Sequence, residues 1–160
     1  MELETLSEKL GECLRERRLS LVTAESCTGG WVAQTVTAVA GSSQWFERGF
    51  VTYSNSAKME MLGVRPDTLE RHGAVSEQTV REMAEGALAH SHAQIAVAVS
   101  GIAGPGGGSL EKPVGTVCLA WAGTGSATQT RRVQIPGNRE AVRRQAVAAA
   151  LQGILDYLRD

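Results

Sequence analysis

The chain has 160 residues and a mass of 17.0 kDa, which is enough for one domain with a hydrophobic core. Hydrophobic residues make up 42% and charged residues 21%, proportions that exclude a disordered or low-complexity chain. The formal net charge of -1 excludes a broadly basic surface for nucleic acid, so an anionic ligand has to be bound by local groups.

The first half of the sequence alternates helical and strand patterns. The predicted elements are an amphipathic helix from Leu3 to Leu14, a strand over 19–24, a helix over 31–39 and a strand over 50–53. Asn55 is predicted to cap a short helix that contains Lys58 and ends at Gly63. Pro66 then begins a turn.

The second half predicts the centre and one edge of a sheet. Ser76 is predicted to cap a helix that runs to about His90. The nearly continuous apolar segment 93–99 predicts a covered central strand, and a glycine-rich loop follows over 100–113. Two further strands, over 114–122 and 128–135, are expected, the second at an edge because its polar and apolar residues alternate. Asn138 caps a last helix. This order predicts a three-layer α/β/α sandwich with a mixed, mostly parallel sheet, as one domain over 1–160.

Three strand ends are expected to form one crevice. If the first three strands are parallel, as helical crossovers require, their carboxyl ends share one edge of the sheet. The first strand then brings Ser26 to that edge and the second brings Tyr53. The third brings Ser100 and the loop Gly101–Gly108. The sequence therefore predicts a ligand site at this edge.

Ser26 stands between a strand and a helix and precedes Thr28, Gly29 and Gly30. Free backbone N–H groups at a helix start bind oxyanions or phosphate, so a serine here is a candidate nucleophile with an adjoining oxyanion hole. The alternative is that Ser26 or Thr28 only caps the helix, and the spacing alone favours that alternative. Cys27 is a second candidate nucleophile, because a helix N-terminus lowers the pKa of a thiol.

Lys58 favours the catalytic interpretation. With Asn55 as the cap, Lys58 is the third helical residue and lies near the positive end of the helix dipole, an unfavourable place for a cation. Burial would lower the pKa of its amine, and a neutral amine is a general base. Tyr53 is either a proton relay, a residue that orients the lysine, or an interface tyrosine. No histidine is placed to act as the base.

The glycine-rich loop has five glycines within Gly101–Gly108, which allows a ligand to approach the backbone closely. It matches neither a P-loop nor a dinucleotide fingerprint, because the required lysine and the following helix are missing. A flexible hairpin connection is the alternative interpretation. Arg139, in the first turn of the last helix, is a candidate for phosphate recognition together with Arg143 and Arg144, and the alternative is an ordinary solvated helix face.

Five short segments and one lysine match a known family. The segments are AESCTGG at 24–30, GFVTYSN at 49–55, GAVS at 73–76, SGIAGP at 100–105 and KPVGTV at 112–117, and the lysine is Lys58. The chain resembles the CinA C-terminal-domain family, and within it the stand-alone nicotinamide-nucleotide amidohydrolases. The matching motifs run in order from position 24 to about 145.

The resemblance implies that nicotinamide mononucleotide is deamidated to nicotinate mononucleotide and ammonia, in pyridine nucleotide recycling, without a metal or organic cofactor. It assigns the nucleophile to Ser26 and the other catalytic roles to Tyr53 and Lys58. It further implies a homo-oligomer. The sequence itself predicts a cytoplasmic protein without a membrane partner, because its start is unlike a signal peptide and no apolar run is long enough to span a bilayer. The balanced charge predicts no nucleic-acid partner. The implied substrate-binding residues are Cys27, Thr28, Gly29, Gly30, Ser100, Gly101, Gly104, Gly106, Gly107 and Arg139.

Two other classes of function stay open from the sequence. One is a nucleotide-binding or regulatory module without catalysis, which the presence of Ser26 and Lys58 disfavours. The other is a nucleoside-phosphate hydrolase, which usually recruits Mg²⁺ through clustered carboxylates. Apart from Glu25, the expected crevice has few carboxylates. Gly106 departs from the family, since similar sequences have Thr or Asp there, so any side-chain contact from that position is lost or replaced by backbone.

Overall fold

The computed structural model describes residues 2–159. Its helices are α1 (Leu3–Arg17), α2 (Trp31–Thr37), α3 (Asn55–Leu62), α4 (Pro66–His72), α5 (Glu77–Ala89) and α6 (Arg139–Arg159). Its strands are β1 (Leu21–Glu25), β2 (Phe46–Val51), β3 (Ile95–Gly101), β4 (Thr116–Gly123) and β5 (Gln129–Gln134). Within this part of the chain, no helix is long and apolar enough to cross a bilayer.

The strands form one mixed sheet in the order β2-β1-β3-β4-β5. β1 is parallel to both β2 and β3, whereas β4 is antiparallel to β3 and β5 is antiparallel to β4. The predicted parallel arrangement of the first three strands is confirmed, as are the central position of β3 and the edge position of β5. The carboxyl ends of β1, β2 and β3 therefore lie along one edge.

The two faces of the sheet carry side chains of different size, because successive strand residues point to opposite faces. Large residues, including Val97, Leu119 and Trp121, pack against α1, α2 and α6. Small residues, including Ala98 and Ala120, pack against α5, with α3 and α4 outside it. Each face is covered by helices, so the predicted three-layer sandwich is confirmed.

Most observed boundaries lie within a few residues of the predicted ones, and two differences concern the elements around the site. β2 starts at Phe46 rather than at position 50, and Tyr53 lies two residues beyond its end. The first half of β2 is polar because it forms a partly exposed sheet edge, so it lacks the apolar run that marks a buried strand. Pro66 begins the helix α4 rather than a turn, which its fixed φ allows at a first helical position.

The cap of α3 is Ser54 and not Asn55. The Ser54 hydroxyl accepts a hydrogen bond of 3.0 Å from the Ala57 N–H. Serine and asparagine are equally good caps, so the sequence could not choose between neighbours. Lys58 is consequently the fourth helical residue, one position further into the helix than predicted. The predicted caps Ser76 and Asn138 are confirmed by their hydrogen bonds to backbone N–H groups.

Candidate active site

A pocket of about 260 Å³ lies at the shared edge of β1, β2 and β3. Seven of the predicted site residues line it: Ser26, Cys27, Tyr53, Lys58, Ser100, Gly101 and Arg139. Volume alone does not distinguish this pocket, since one of about 380 Å³ lies at the other end of the sheet near Arg17 and Tyr157. Its distinguishing feature is a buried amine in contact with a buried hydroxyl.

The first turn of α3 directs Lys58 under the strand ends. Only 1% of the residue is exposed, and its Nζ lies 3.0 Å from Ser26 Oγ. The same nitrogen donates to the carbonyl oxygens of Thr52 at 2.9 Å and Tyr53 at 3.3 Å. Carbonyl oxygens only accept hydrogen bonds, so they take two N–H groups of the amine. In the neutral amine, the remaining lone pair is left for the Ser26 hydroxyl.

Burial lowers the pKa of the Lys58 amine from its ordinary value. The direction follows from desolvation, which penalises the charged form of a buried amine. The charge of the Cys27 thiolate is the only opposing influence, and that thiol stays protonated at neutral pH. Among residues 2–159, the ion pairs involve other side chains and leave Lys58 without a carboxylate partner. The site therefore makes the uncharged form of the lysine more accessible than it is in an exposed lysine.

Cys27 does not have the low pKa that the sequence analysis predicted. Burial raises the pKa of its thiol to about 12, and the nearby positive charge of Arg143 only partly opposes that rise. In addition, α2 starts only at Trp31, so Cys27 lies in the preceding turn and not at the helix end, where the sequence analysis had placed it. The thiol stays protonated at neutral pH and is a poor nucleophile.

Glu25 occupies the start of α2. Its carboxylate accepts hydrogen bonds from Thr28 Oγ1 at 2.6 Å, from Val32 N at 2.8 Å and from Ala33 N at 3.0 Å. A protein carboxylate therefore already satisfies the N–H groups of Val32 and Ala33, and these two helix donors are not available to a substrate oxyanion or phosphate. The alternative prediction, that Ser26 or Thr28 caps α2, is wrong, since the cap is Gly30 without a side-chain bond.

In the described part of the chain, the turn after β1 keeps three backbone donors free, the N–H groups of Cys27, Thr28 and Gly30. Ser26 N donates to Val99 O at 3.0 Å, and Gly29 N donates to Ser26 O at 3.0 Å. Within residues 2–159, by contrast, the N–H groups of Cys27 and Thr28 have no hydrogen-bond acceptor. These two groups directly follow the serine and are the free donors of the turn that lie nearest to it in the chain.

Tyr53 contacts Lys58 through its backbone carbonyl rather than its hydroxyl. The residue is 64% exposed, and its hydroxyl lies 3.5 Å from Arg139 Nη2. The other terminal nitrogen of the Arg139 guanidinium, Nη1, donates a hydrogen bond to Gly104 O at 2.8 Å. The structure thus brings Tyr53, Arg139 and Gly104 together at the rim of the pocket. Among the described residues, it does not bring the Tyr53 hydroxyl to Lys58.

Several predicted substrate-binding residues lie outside the pocket. A Cβ on Gly29 would face Arg143, and one on Gly30 would face Val51. Gly106 and Gly107 lie in the exposed part of the glycine loop, and a Cβ on Gly106 would meet open space. Thr28 is buried against Glu25. Residues 2–159 contain no cluster of three or more His, Cys, Asp or Glu side chains that could bind a metal ion.

Sequence reasoning missed part of the pocket wall. Ala74, Val75 and Ala103 line the pocket beside the serine and lysine. Short apolar side chains have no chemical signature, so only the match of the segment 73–76 to a family motif could have indicated the first two. They add an apolar surface on which a planar ring can pack.

The fold and the pocket define an α/β/α domain with a buried Ser–Lys pair at the ends of its parallel strands. The family model of the CinA C-terminal domain matches residues 3–158, and the chain belongs to this family. It is 61% identical over 151 residues to the nicotinamide-nucleotide amidohydrolase PncC of Escherichia coli strain K12, covering 94% of this chain and 92% of the relative.

Two further comparisons agree with that assignment. The Pseudomonas putida protein named nicotinamide-nucleotide amidohydrolase PncC is 56% identical, over 96% of this chain and 95% of its own length. The crystal structure of the competence/damage inducible protein CihA from Agrobacterium tumefaciens superposes with a TM-score of 0.94 at 46% identity. That superposition covers 96% of this chain and 94% of the other.

The depressed pKa of Lys58 predicts a pH dependence of stability. Well below its native pKa, the lysine is charged in both the folded and unfolded states, and the full cost of its burial applies. Above its unfolded value of 10.5 it is neutral in both states, and that cost is gone. The free energy of unfolding of the wild type, relative to Lys58→Met, should therefore rise as pH increases towards 10.5.

Urea unfolding at a series of pH values measures this difference. Lys9→Met, at an exposed position of α1, is the matched control for removing one amine from the chain. A difference between wild type and Lys58→Met that stays constant, or falls with rising pH, would contradict a depressed pKa.

Proposed function

We propose that this protein is an amidohydrolase that converts nicotinamide mononucleotide and water to nicotinate mononucleotide and ammonia, and thereby serves pyridine nucleotide recycling. The observation that supports it most is the 3.0 Å contact between the buried Lys58 amine and the Ser26 hydroxyl. The names of the Escherichia coli and Pseudomonas putida relatives support the reaction and its substrate.

The first step is attack of Ser26 on the carboxamide carbon. The neutral Lys58 amine takes the hydroxyl proton as the Oγ–C bond forms, which is general-base activation of a nucleophile. Direct transfer between the two side chains is supported by their contact, whereas the Tyr53 hydroxyl faces Arg139 instead. The carbonyls of Thr52 and Tyr53 hold the amine in place throughout.

The tetrahedral intermediate carries a negative charge on the former amide oxygen. The unpaired N–H groups of Cys27 and Thr28, immediately after the nucleophile, are the donors we assign to it. Such preorganised donors contribute strongly, since loss of one typically costs about 10²–10³-fold in rate. A role for the N-terminus of α2 is not proposed, because Glu25 fills it.

The remaining steps return the enzyme to its starting state. The lysine ammonium gives its proton to the amide nitrogen, the C–N bond breaks and ammonia leaves, which forms an ester with Ser26. Lys58 then takes a proton from water as the hydroxide adds to the ester carbon. Collapse of this second intermediate breaks the bond to Ser26 Oγ, which regains a proton from Lys58 and releases the nicotinate product.

The 5′-phosphate is assigned to Arg139. This residue lies at the exposed rim of the pocket. Among residues 2–159, its guanidinium is hydrogen-bonded only to the Gly104 carbonyl and the Tyr53 hydroxyl, neither of which neutralises its charge. Arginine is well suited to phosphate because its planar fork matches phosphate oxygens. The nicotinamide ring of the substrate would then lie deeper in the pocket, beside Ala74 and Val75.

Ammonia release from nicotinamide mononucleotide, measured with EDTA present, tests the proposed reaction. Wild type and Cys27→Ala should both be active, because the Cys27 thiol is protonated. Ser26→Ala should lose activity by about 10⁴-fold or more, as is typical when a nucleophile is removed. Circular dichroism and the thermal midpoint control for folding.

No ammonia from the folded wild type would refute the substrate assignment and leave a non-catalytic binding module as the better account. Activity in Ser26→Ala, or its loss in a folded Cys27→Ala, would refute the assignment of the nucleophile.

A comparison of two substrates tests the role of Arg139. Arg139→Gln should raise KM for nicotinamide mononucleotide by about 10–100-fold, the loss expected for a hydrogen bond to a charged group. The corresponding nucleoside, which lacks the phosphate, should be hydrolysed equally by the variant and the wild type. If both substrates are affected equally, Arg139 supports the pocket through Gly104 and does not bind phosphate.

A further inference from the structure

Arg143 of α6 contacts the backbone of the turn that contains Ser26. Its Nε donates to Cys27 O at 3.0 Å, and its Nη2 donates to Thr28 O at 3.1 Å. The guanidinium of the half-buried residue also lies over the Trp31 ring, 5.4 Å from the centroid. One rigid fork thus binds two consecutive carbonyls immediately after the proposed nucleophile.

We propose that Arg143 is a positioning residue, which fixes the Cys27–Thr28 and Thr28–Gly29 peptide planes and thereby preorganises the Thr28 N–H for the oxyanion. The inference rests on the proposed amidohydrolase function, and it extends that function to a residue outside the pocket. Arg143 contacts neither the nucleophile nor the base, and it acts only through the backbone of the turn.

The planarity of the peptide bond supports this role. In a trans peptide, the C=O and the following N–H point in opposite directions. Since Arg143 holds the carbonyl of Cys27, the N–H of Thr28 points away from Arg143. The next peptide follows the same rule: Arg143 holds the carbonyl of Thr28, and the N–H of Gly29 donates to Ser26 O. Both N–H groups therefore lie on the side of the turn away from α6.

A second charged group holds the same turn. The Glu25 carboxylate accepts hydrogen bonds from Thr28 Oγ1 and from two N–H groups of α2. The side chain of Thr28 is therefore bound by a negative charge, and its backbone carbonyl is bound by the positive charge of Arg143. Hydrogen bonds to charged groups are stronger than those between neutral groups. The positive charge of Arg143 also opposes the rise in the pKa of the Cys27 thiol, so its field reaches the turn.

Arginine is required for this contact, because lysine is a single point charge and cannot bind two carbonyls with fixed geometry. The neighbouring Arg144 is a matched control. Its guanidinium also lies over Trp31, at 5.1 Å from the ring centroid, but it is exposed and pairs with Glu140 at 3.5 Å. Replacing either arginine by lysine keeps the net charge. Only the replacement of Arg143 removes a guanidinium that is hydrogen-bonded to the turn.

The test combines kinetics with amide hydrogen exchange. For Arg143→Lys, we expect kcat for nicotinamide mononucleotide to fall about 10²-fold, the usual effect of a disturbed oxyanion donor, with KM changed less than about threefold. We also expect the Gly29 amide to exchange at least about tenfold faster, because its bond to Ser26 O depends on the fixed plane. Arg144→Lys should change neither quantity.

Three outcomes would overturn the inference: a kcat for Arg143→Lys within about twofold of wild type, an effect confined to KM, or unchanged exchange at Gly29. If the lysine variant does not fold, Arg143→Gln is measured instead, with the same expectations. Wild type that releases no ammonia would refute the proposed function, and the exchange measurement would then decide separately whether Arg143 fixes the turn.

Discussion

The hydrogen bond between Lys58 Nζ and Ser26 Oγ, 3.0 Å long, is the interaction on which the proposed chemistry depends. It exists because parallel strands end at one edge of a sheet, where β1 places the serine and the segment after β2 supplies two carbonyls. The helix α3 then directs the lysine beneath them. Burial removes water from the amine, and the carbonyls satisfy two of its N–H groups without supplying a negative charge. The same geometry therefore orients the lysine and lowers the pKa of its amine.

The distribution of charge around the pocket follows from that requirement. Glu25, the residue before the serine, is buried, yet its carboxylate is turned towards the N-terminus of α2, where helix N–H groups stabilise it. A carboxylate beside Lys58 would instead have favoured the ammonium. Because Glu25 fills the helix terminus, positive charge for an anionic substrate has to come from a side chain, and Arg139 at the rim is the one that the pocket offers.

Much of this arrangement was predictable from the sequence, because it depends on local patterns. The apolar strands, the helical crossovers and the polar residue after each strand sufficed to predict the layers and to bring Ser26, Tyr53 and Ser100 to one edge. The features that could not be predicted depend either on contacts between residues distant in the sequence or on a choice between adjacent residues with the same propensity. Ser54 and Asn55 cap helices equally well, the burial of Cys27 depends on tertiary packing, and Arg143 meets the turn from the far end of the chain.

The central claim is that Lys58 has the low pKa of a base in the folded protein, and NMR titration of ¹³C-labelled lysine tests it most directly. The chain has only three lysines, Lys9, Lys58 and Lys112, so the Lys58→Met spectrum assigns the signal at once. The account predicts that the Lys58 signal titrates below 10.5 in the native protein and at the ordinary value once the protein is unfolded in urea. A native Lys58 that titrates at or above 10.5 would contradict it, because the pocket would then not destabilise the ammonium form of the lysine.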